Sequence, residues 1–175
     1  MQATVTDDHE KIMSADKVIF PGVGEASSAM KYLKDRGMDK MIKNLQQPVL
    51  GICLGMQLMC SHSEENNTDC LKIFDEEVKH FKNSAVMNEG IKIPQIGWNN
   101  IYNLRSGLFK GVEENSYCYF VHGYYAAMGE HTIATTDYIY PYSSALRKNN
   151  FFGVQFHPEK SATAGEKIIR NFVEM

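Results

Sequence analysis

Three residues in this 175-residue chain have the types and spacing of a nucleophile with its base: Cys53, His157 and Glu159. Cys53 sits in Gly51-Ile52-Cys53-Leu54-Gly55, the G-x-nucleophile-x-G spacing of a tight turn between a strand and a helix. Side chains flanking so sharp a turn would collide with neighbouring backbone, so glycine stands on both sides. The turn lifts the thiol out at the carboxyl end of its strand, where open α/β folds bind ligands. At a helix N-terminus, unpaired N–H groups can pull a thiol pKa from about 8.5 toward roughly 3.5–7.5. The N–H of Leu54 would point at an oxyanion formed beside the sulfur. A lone cysteine between glycines is equally an inert buried thiol, so the chemical reading requires a base.

His9, His62, His80 and His131 lie in polar or helical surroundings and are read as surface residues. His122, in Phe120-Val121-His122-Gly123-Tyr124, follows an aromatic strand; it is either a cleft residue or, more simply, a packed and hydrogen-bonded one. His157 ends the strand Phe152-Gly153-Val154-Gln155-Phe156 and precedes Pro158 and Glu159. Proline stops the ladder and fixes the backbone, so His157 and Glu159 fall on one side of a rigid turn. The carboxylate then holds the imidazole tautomer while the other nitrogen faces a nucleophile. Cys-His-Glu acyl transfer is the expected chemistry. Metal binding is the rival, but His-Pro-Glu has no usual ligand spacing, and no metal or cofactor is expected.

The elements that must position these groups follow from periodicity and turn chemistry. Ala3–Thr6 is β-favouring and Asp8–Ala15 forms a polar helical turn. Lys17–Phe20 is a strand ending in the loop Pro21-Gly22-Val23-Gly24. Ala26–Leu45 has helical composition, divided at Gly37; Pro48–Ile52 is a buried strand and Met56–His62 a helix. This alternation implies an α/β fold with a mostly parallel sheet and helices on both faces. From Ile91 onward, short aromatic or β-branched runs (Trp98–Tyr102, Tyr117–Val121, Thr132–Thr136, Phe151–Phe156) form a smaller antiparallel hairpin region, and Ala164–Val173 closes the chain as a helix.

Composition excludes several classes. A net charge of −3, with 43% hydrophobic and 22% charged residues, describes an ordinary globular chain. No basic block marks a nucleic-acid partner. No apolar run approaches the ~18 residues that cross a bilayer, and the polar, acidic start is no signal peptide. Cys53, Cys60, Cys70 and Cys118 form no framework, which suits reduced thiols and a cytoplasmic location.

Gly51–Gln57 (GICLGMQ) together with Gly153–Ser161 (GVQFHPEKS) resembles the class I glutamine amidotransferases, whose glutaminase domain uses a Cys-His-Glu triad. Pro21–Gly24 (PGVG), Pro94–Asn99 (PQIGWN) and Tyr119–Tyr125 (YFVHGYY) look like one branch of that class, the glutaminase subunits of imidazole glycerol phosphate synthase in histidine biosynthesis. The resemblance implies that Cys53 attacks the side-chain amide of L-glutamine, that His157 moves the protons, and that Glu159 holds His157. A γ-glutamyl thioester would then be hydrolysed to glutamate. It also implies that Gly22, Val23 and Gly24 form a reorienting oxyanion strand, that Gln57 contacts the bound glutamine, and that backbone around His122, Gly123 and Tyr124 grips its amino-acid end. Trp98 and Asn99 match the interface to a (β/α)8-barrel cyclase subunit, which receives ammonia and makes imidazole glycerol phosphate and the aminoimidazole carboxamide ribonucleotide. For Trp98, a core position is an equal reading.

Residues 1–175 thus correspond to one glutaminase domain, shortened at its start by a strand and helix of roughly 20–25 residues relative to the family. Without that strand a sheet edge is expected to be open and prone to self-association. Gly123 stands where relatives often carry serine, and Lys72 lies in a segment where they often carry glycine. Two alternatives keep part of this reading: a glutaminase serving another synthase, such as the anthranilate-forming one, or a docking subunit without activity.

Overall fold

The computed structural model describes residues 3–83 and 91–175. Asp8 caps α1 (His9–Ser14) by accepting from the backbone N–H of Glu10 and Lys11 at 2.9 and 3.3 Å. β1 (Val18–Gly22) leads into α2 (Ala26–Asp35) and α3 (Met38–Lys43), which are divided at Gly37 as its left-handed φ of 67° requires. β2 (Val49–Cys53) runs straight into α4 (Leu54–Met59). Then follow β3 (His62–Ser63), β4 (Thr68–Asp69), β5 (Glu77–His80), β6 (Gln95–Ile101), β7 (Ser116–His122), β8 (Tyr124–Ala126), β9 (Thr132–Asp137), β10 (Pro141–Lys148), β11 (Phe151–Val154) and α5 (Ala162–Glu174).

The main sheet has the order β1-β2-β11-β10-β8-β5-β3-β4, with β9 also paired to β10. The expected parallel pairing is found in β1-β2-β11 and between β3 and β5. The other contacts of this sheet are antiparallel, so the sheet as a whole is mixed. Connection length explains the difference. Two residues join β10 to β11, and so short a link permits only an antiparallel hairpin. β6 and β7 form a separate antiparallel ribbon, the small hairpin region.

β2 is buried along its whole length and divides the core. Val49 faces the helices α2–α4, packing with Met30, Leu33, Ile42 and Met56. Leu50 and Ile52 face the other side with Phe152, Val154, Ile168 and Phe172, where α5 covers the sheet. That alternation is the two-residue period of a strand sandwiched between helical layers.

Several expectations are corrected. Ala3–Thr6 forms no strand, and Val5 is fully exposed: β propensity without a neighbouring strand yields no ladder. α4 starts two residues earlier than the sequence suggests. His131 is buried rather than superficial, its Nδ1 3.1 Å from Oε1 of the buried Glu76. Lys148 Nζ meets Asp75 Oδ2 at 2.9 Å beside it. Together with Glu130 these groups form a polar cluster tying the start of β5 to the turn before β9. Lys72 has φ 57°, in the left-handed region that is strained for a residue with a Cβ and favours glycine.

Candidate active site

Cys53 occupies the junction of β2 and α4 with φ 53° and ψ −112°, a backbone conformation that L-residues rarely adopt. The surrounding glycines are required by close approach. A Cβ on Gly55 would lie 1.9 Å from the Phe20 carbonyl oxygen, and one on Gly22 would lie 2.7 Å from the Gly55 nitrogen. A Cβ on Gly51 would be 2.8 Å from the Met56 nitrogen. β1 and the first turn of α4 can therefore touch only because these positions carry no side chain. The parallel register Gly22↔Cys53 then sets Val23 and Gly24 immediately beyond the thiol. Val23 is 85% exposed, so the loop is held by little besides its ends.

The thiol is 9% exposed. Its Sγ lies 3.8 Å from the Val121 carbonyl, to which the S–H donates, and 3.7 Å from Gln155 Nε2, which donates to the sulfur. Burial pushes its pKa up to about 11, against the opposing pull of the Leu54 N–H; the Glu159 carboxylate adds to the rise, and the Gln155 amide offsets part of it. The lowering expected from the helix terminus is therefore overturned. Desolvation of a thiolate at this depth outweighs one backbone donor on a helix of six residues.

β11 pairs in parallel with β2 through Val154↔Ile52, and the chain beyond it carries Gln155 alongside Cys53 and then His157. The His157 N–H donates to the Tyr119 carbonyl at 2.9 Å. Pro158 opens a single 3-10 turn, Pro158–Lys160, that returns Glu159 to the ring: His157 Nδ1 is 2.8 Å from Glu159 Oε1. The Ser161 hydroxyl donates to the His157 carbonyl at 2.6 Å and accepts the Tyr119 N–H at 3.0 Å. β7 is thus a shared support, since its Val121 carbonyl faces the thiol and its Tyr119 carbonyl fixes the histidine backbone.

Gln57 is buried on α4, one turn past the cysteine, with Nε2 donating to the Tyr124 carbonyl and to Gln155 Oε1, both at 2.9 Å. The His122 side chain is buried as a packed residue, Nδ1 2.6 Å from the Tyr124 carbonyl and Nε2 3.2 Å from the Tyr142 hydroxyl. Burial drives its pKa down to about 4. At Gly123 a Cβ would meet nothing nearer than 3.9 Å, so a serine side chain has room there. Burial, and then the charges of Glu65, Glu64 and Glu25, hold the Tyr124 phenol above its ordinary pKa.

Trp98 is 53% exposed and packs edge-on against Tyr119 at 5.9 Å, which decides against the core reading. The cross-strand register Ile96↔Val121, Trp98↔Tyr119, Asn100↔Tyr117 places Ile96, Trp98, Tyr117 and Val121 on one exposed face. Asn99 points the other way, donating from Nδ2 to the Asp137 carbonyl at 2.8 Å. Two residues that spacing did not single out belong to this neighbourhood. Gln155 lies within the motif but reads as an ordinary strand position, and Glu65 accepts the Ala26 N–H at 2.8 Å across 39 residues. Only the fold brings either to the loop and the thiol.

A thiol on a strained strand–helix turn, with a histidine–carboxylate pair just past the end of the adjacent parallel strand in an α/β sheet, is the set of groups that thiol acyl transfer requires. The chain belongs to the class-I glutamine amidotransferase family, whose model matches residues 2–175. It is 57% identical over 175 residues to the imidazole glycerol phosphate synthase subunit HisH of Bacteroides fragilis strain YCH46, spanning 100% of this chain and 88% of that protein. The subunit of the same name from Bacteroides thetaiotaomicron is 53% identical with the same coverage. Among solved structures, a glutamine amidotransferase superposes with a TM-score of 0.71 at 15% identity, covering 99% of this chain and 86% of that one. The glutaminase domain of Trypanosoma brucei CTPS with bound acivicin superposes at 0.64 and 15% identity, covering 95% and 74%. These two structural likenesses speak to the fold.

Proposed function

We propose that residues 1–175 form one glutaminase domain, the subunit of imidazole glycerol phosphate synthase that releases ammonia from L-glutamine for histidine biosynthesis in the cytoplasm. The observation that carries the chemistry is Cys53 at φ 53° on the β2–α4 turn, beside the strand that leads into the 2.8 Å His157–Glu159 pair. Cys53 Sγ attacks the δ-carbon of glutamine as its proton passes to His157. The carbonyl electron pair moves onto oxygen, where the Leu54 N–H and a reoriented peptide at Val23 accept the charge. His157 then gives its proton to the departing nitrogen, ammonia leaves, and a γ-glutamyl thioester remains. A water that loses its proton to His157 attacks the thioester, and Cys53 departs with the proton returned. Glu159 keeps the imidazole in the tautomer whose Nε2 is basic.

The exposed face of Ile96, Trp98, Tyr117 and Val121 supports docking to a (β/α)8-barrel cyclase subunit, with Trp98 as the aromatic anchor. A closed joint there lets ammonia pass without protonation in bulk water. The deciding experiment measures glutamate release from glutamine by this chain alone, with the cyclase, and with the cyclase and its nucleotide ligand. Release that needs both supports the reading; release with an anthranilate-type partner instead, or none from a folded, docked complex, sinks it.

A further inference from the structure

We infer that Gln155 is a catalytic residue of the glutaminase reaction, an N–H donor held against the nucleophilic sulfur by a hydrogen-bond relay that begins at Gln57. The inference rests on the assignment of Cys53 as the nucleophile. The relay has one possible direction. The Tyr124 carbonyl can only accept, so the Gln57 amide must turn its nitrogen toward it, at 2.9 Å. The second Nε2 hydrogen of Gln57 then goes to Gln155 Oε1, also at 2.9 Å. With its oxygen so occupied, Gln155 must present its own NH2 to Cys53 Sγ, at 3.7 Å. A backbone carbonyl thus fixes the orientation of two side-chain amides in series.

The position is rigid and dry. Gln155 is fully buried and Gln57 nearly so, and the backbone N–H of Gln155 donates to the Ser144 carbonyl at 2.9 Å. Negative charge develops on this sulfur twice: as His157 takes the thiol proton during attack, and as the C–S bond breaks on thioester hydrolysis. A donor already aimed at the sulfur stabilises that charge without reorganisation, where water is excluded and the interaction is strong. Because both Nε2 hydrogens of Gln57 are committed to the protein, the atom it can offer substrate is Oε1. Gln57 therefore accepts from an N–H of glutamine rather than donating to it.

The test is the rate of Cys53 alkylation by iodoacetamide in the folded 175-residue chain without substrate, read by mass spectrometry of the Cys53 peptide. Gln155→Met should slow it about tenfold at fixed pH, the loss of one hydrogen bond to a charged sulfur. Gln57→Met, one link further away, should slow it severalfold by freeing the Gln155 amide to rotate. Both variants should match the parent rate in urea. If Gln155→Met unfolds cooperatively like the parent yet is alkylated at the parent rate, the inference is wrong; should that variant fail to fold, an unchanged rate in Gln57→Met overturns it equally. Full glutamine hydrolysis by Cys53→Ala would instead overturn the nucleophile assignment itself.

Discussion

His157 and Glu159 stand either side of Pro158 with Nδ1 and Oε1 2.8 Å apart, yet half of the glutamate side chain is open to solvent. A pair so exposed contributes little to stability, about 0–1 kcal/mol. Its value lies in the orientation of the ring. Glu159→Gln should lower kcat for glutamine hydrolysis by about a hundredfold or more, with little change in KM. The melting temperature should move by no more than a degree or two. A large loss of stability with kcat preserved would show that Glu159 serves the fold instead.

His122 predicts how stability responds to acid. Its folded pKa of about 4 lies below the ordinary 6.5, so the unfolded chain binds the extra proton first as pH falls. Stability should therefore decline as pH drops through about 6.5 toward 4 and level off below, by on the order of 3 kcal/mol from this residue. Urea titrations between pH 7 and 4 on the parent and on His122→Gln measure it. An equally steep decline in the variant would assign the effect to other groups.

Gly55 predicts where the fold has no slack. An alanine there puts a methyl 1.9 Å from the Phe20 carbonyl, so β1 and α4 must separate. Gly55→Ala should cost about 2–3 kcal/mol and slow glutamine hydrolysis by shifting the thiol. Gly123→Ser should do the opposite, since its Cβ meets nothing within 3.9 Å and the unfolded chain loses freedom. A gain of about 0.5 kcal/mol is expected. Denaturant midpoints for the two variants moving in the same direction would contradict this account.

The exposed ribbon predicts partner binding. Trp98→Ala should weaken association with the cyclase subunit at least about tenfold, as loss of an aromatic anchor does. Because Trp98 is half exposed and touches chiefly Tyr119, the isolated chain should keep its melting temperature. Calorimetric titration and thermal melts on the same preparation separate the two effects. Undiminished affinity would move the interface elsewhere.

The sequence by itself determined the glycine-flanked turn at Cys53, the histidine–carboxylate pair and the strands that lead to them. Each is local: glycine at both sides of Cys53 and proline between His157 and Glu159 dictate backbone geometry within five residues. Division of the helix at Gly37 was equally legible, for the same reason. β10 was not, because its buried Ser143 and Ser144 carry no apolar period; their burial is settled by strands distant in the chain, with Ser143 Oγ donating to the Ala127 carbonyl at 2.8 Å. The burial of His131 is illegible in the sequence for the same cause, since its Glu76 partner lies 55 residues away. Only the tertiary structure decided the state of the thiol. A helix terminus argues for a low pKa, but the depth at which β1, β7 and β11 enclose the sulfur argues more strongly for a high one. Desolvation is a property of everything around a group, and no stretch of sequence near Cys53 records how much surrounds it.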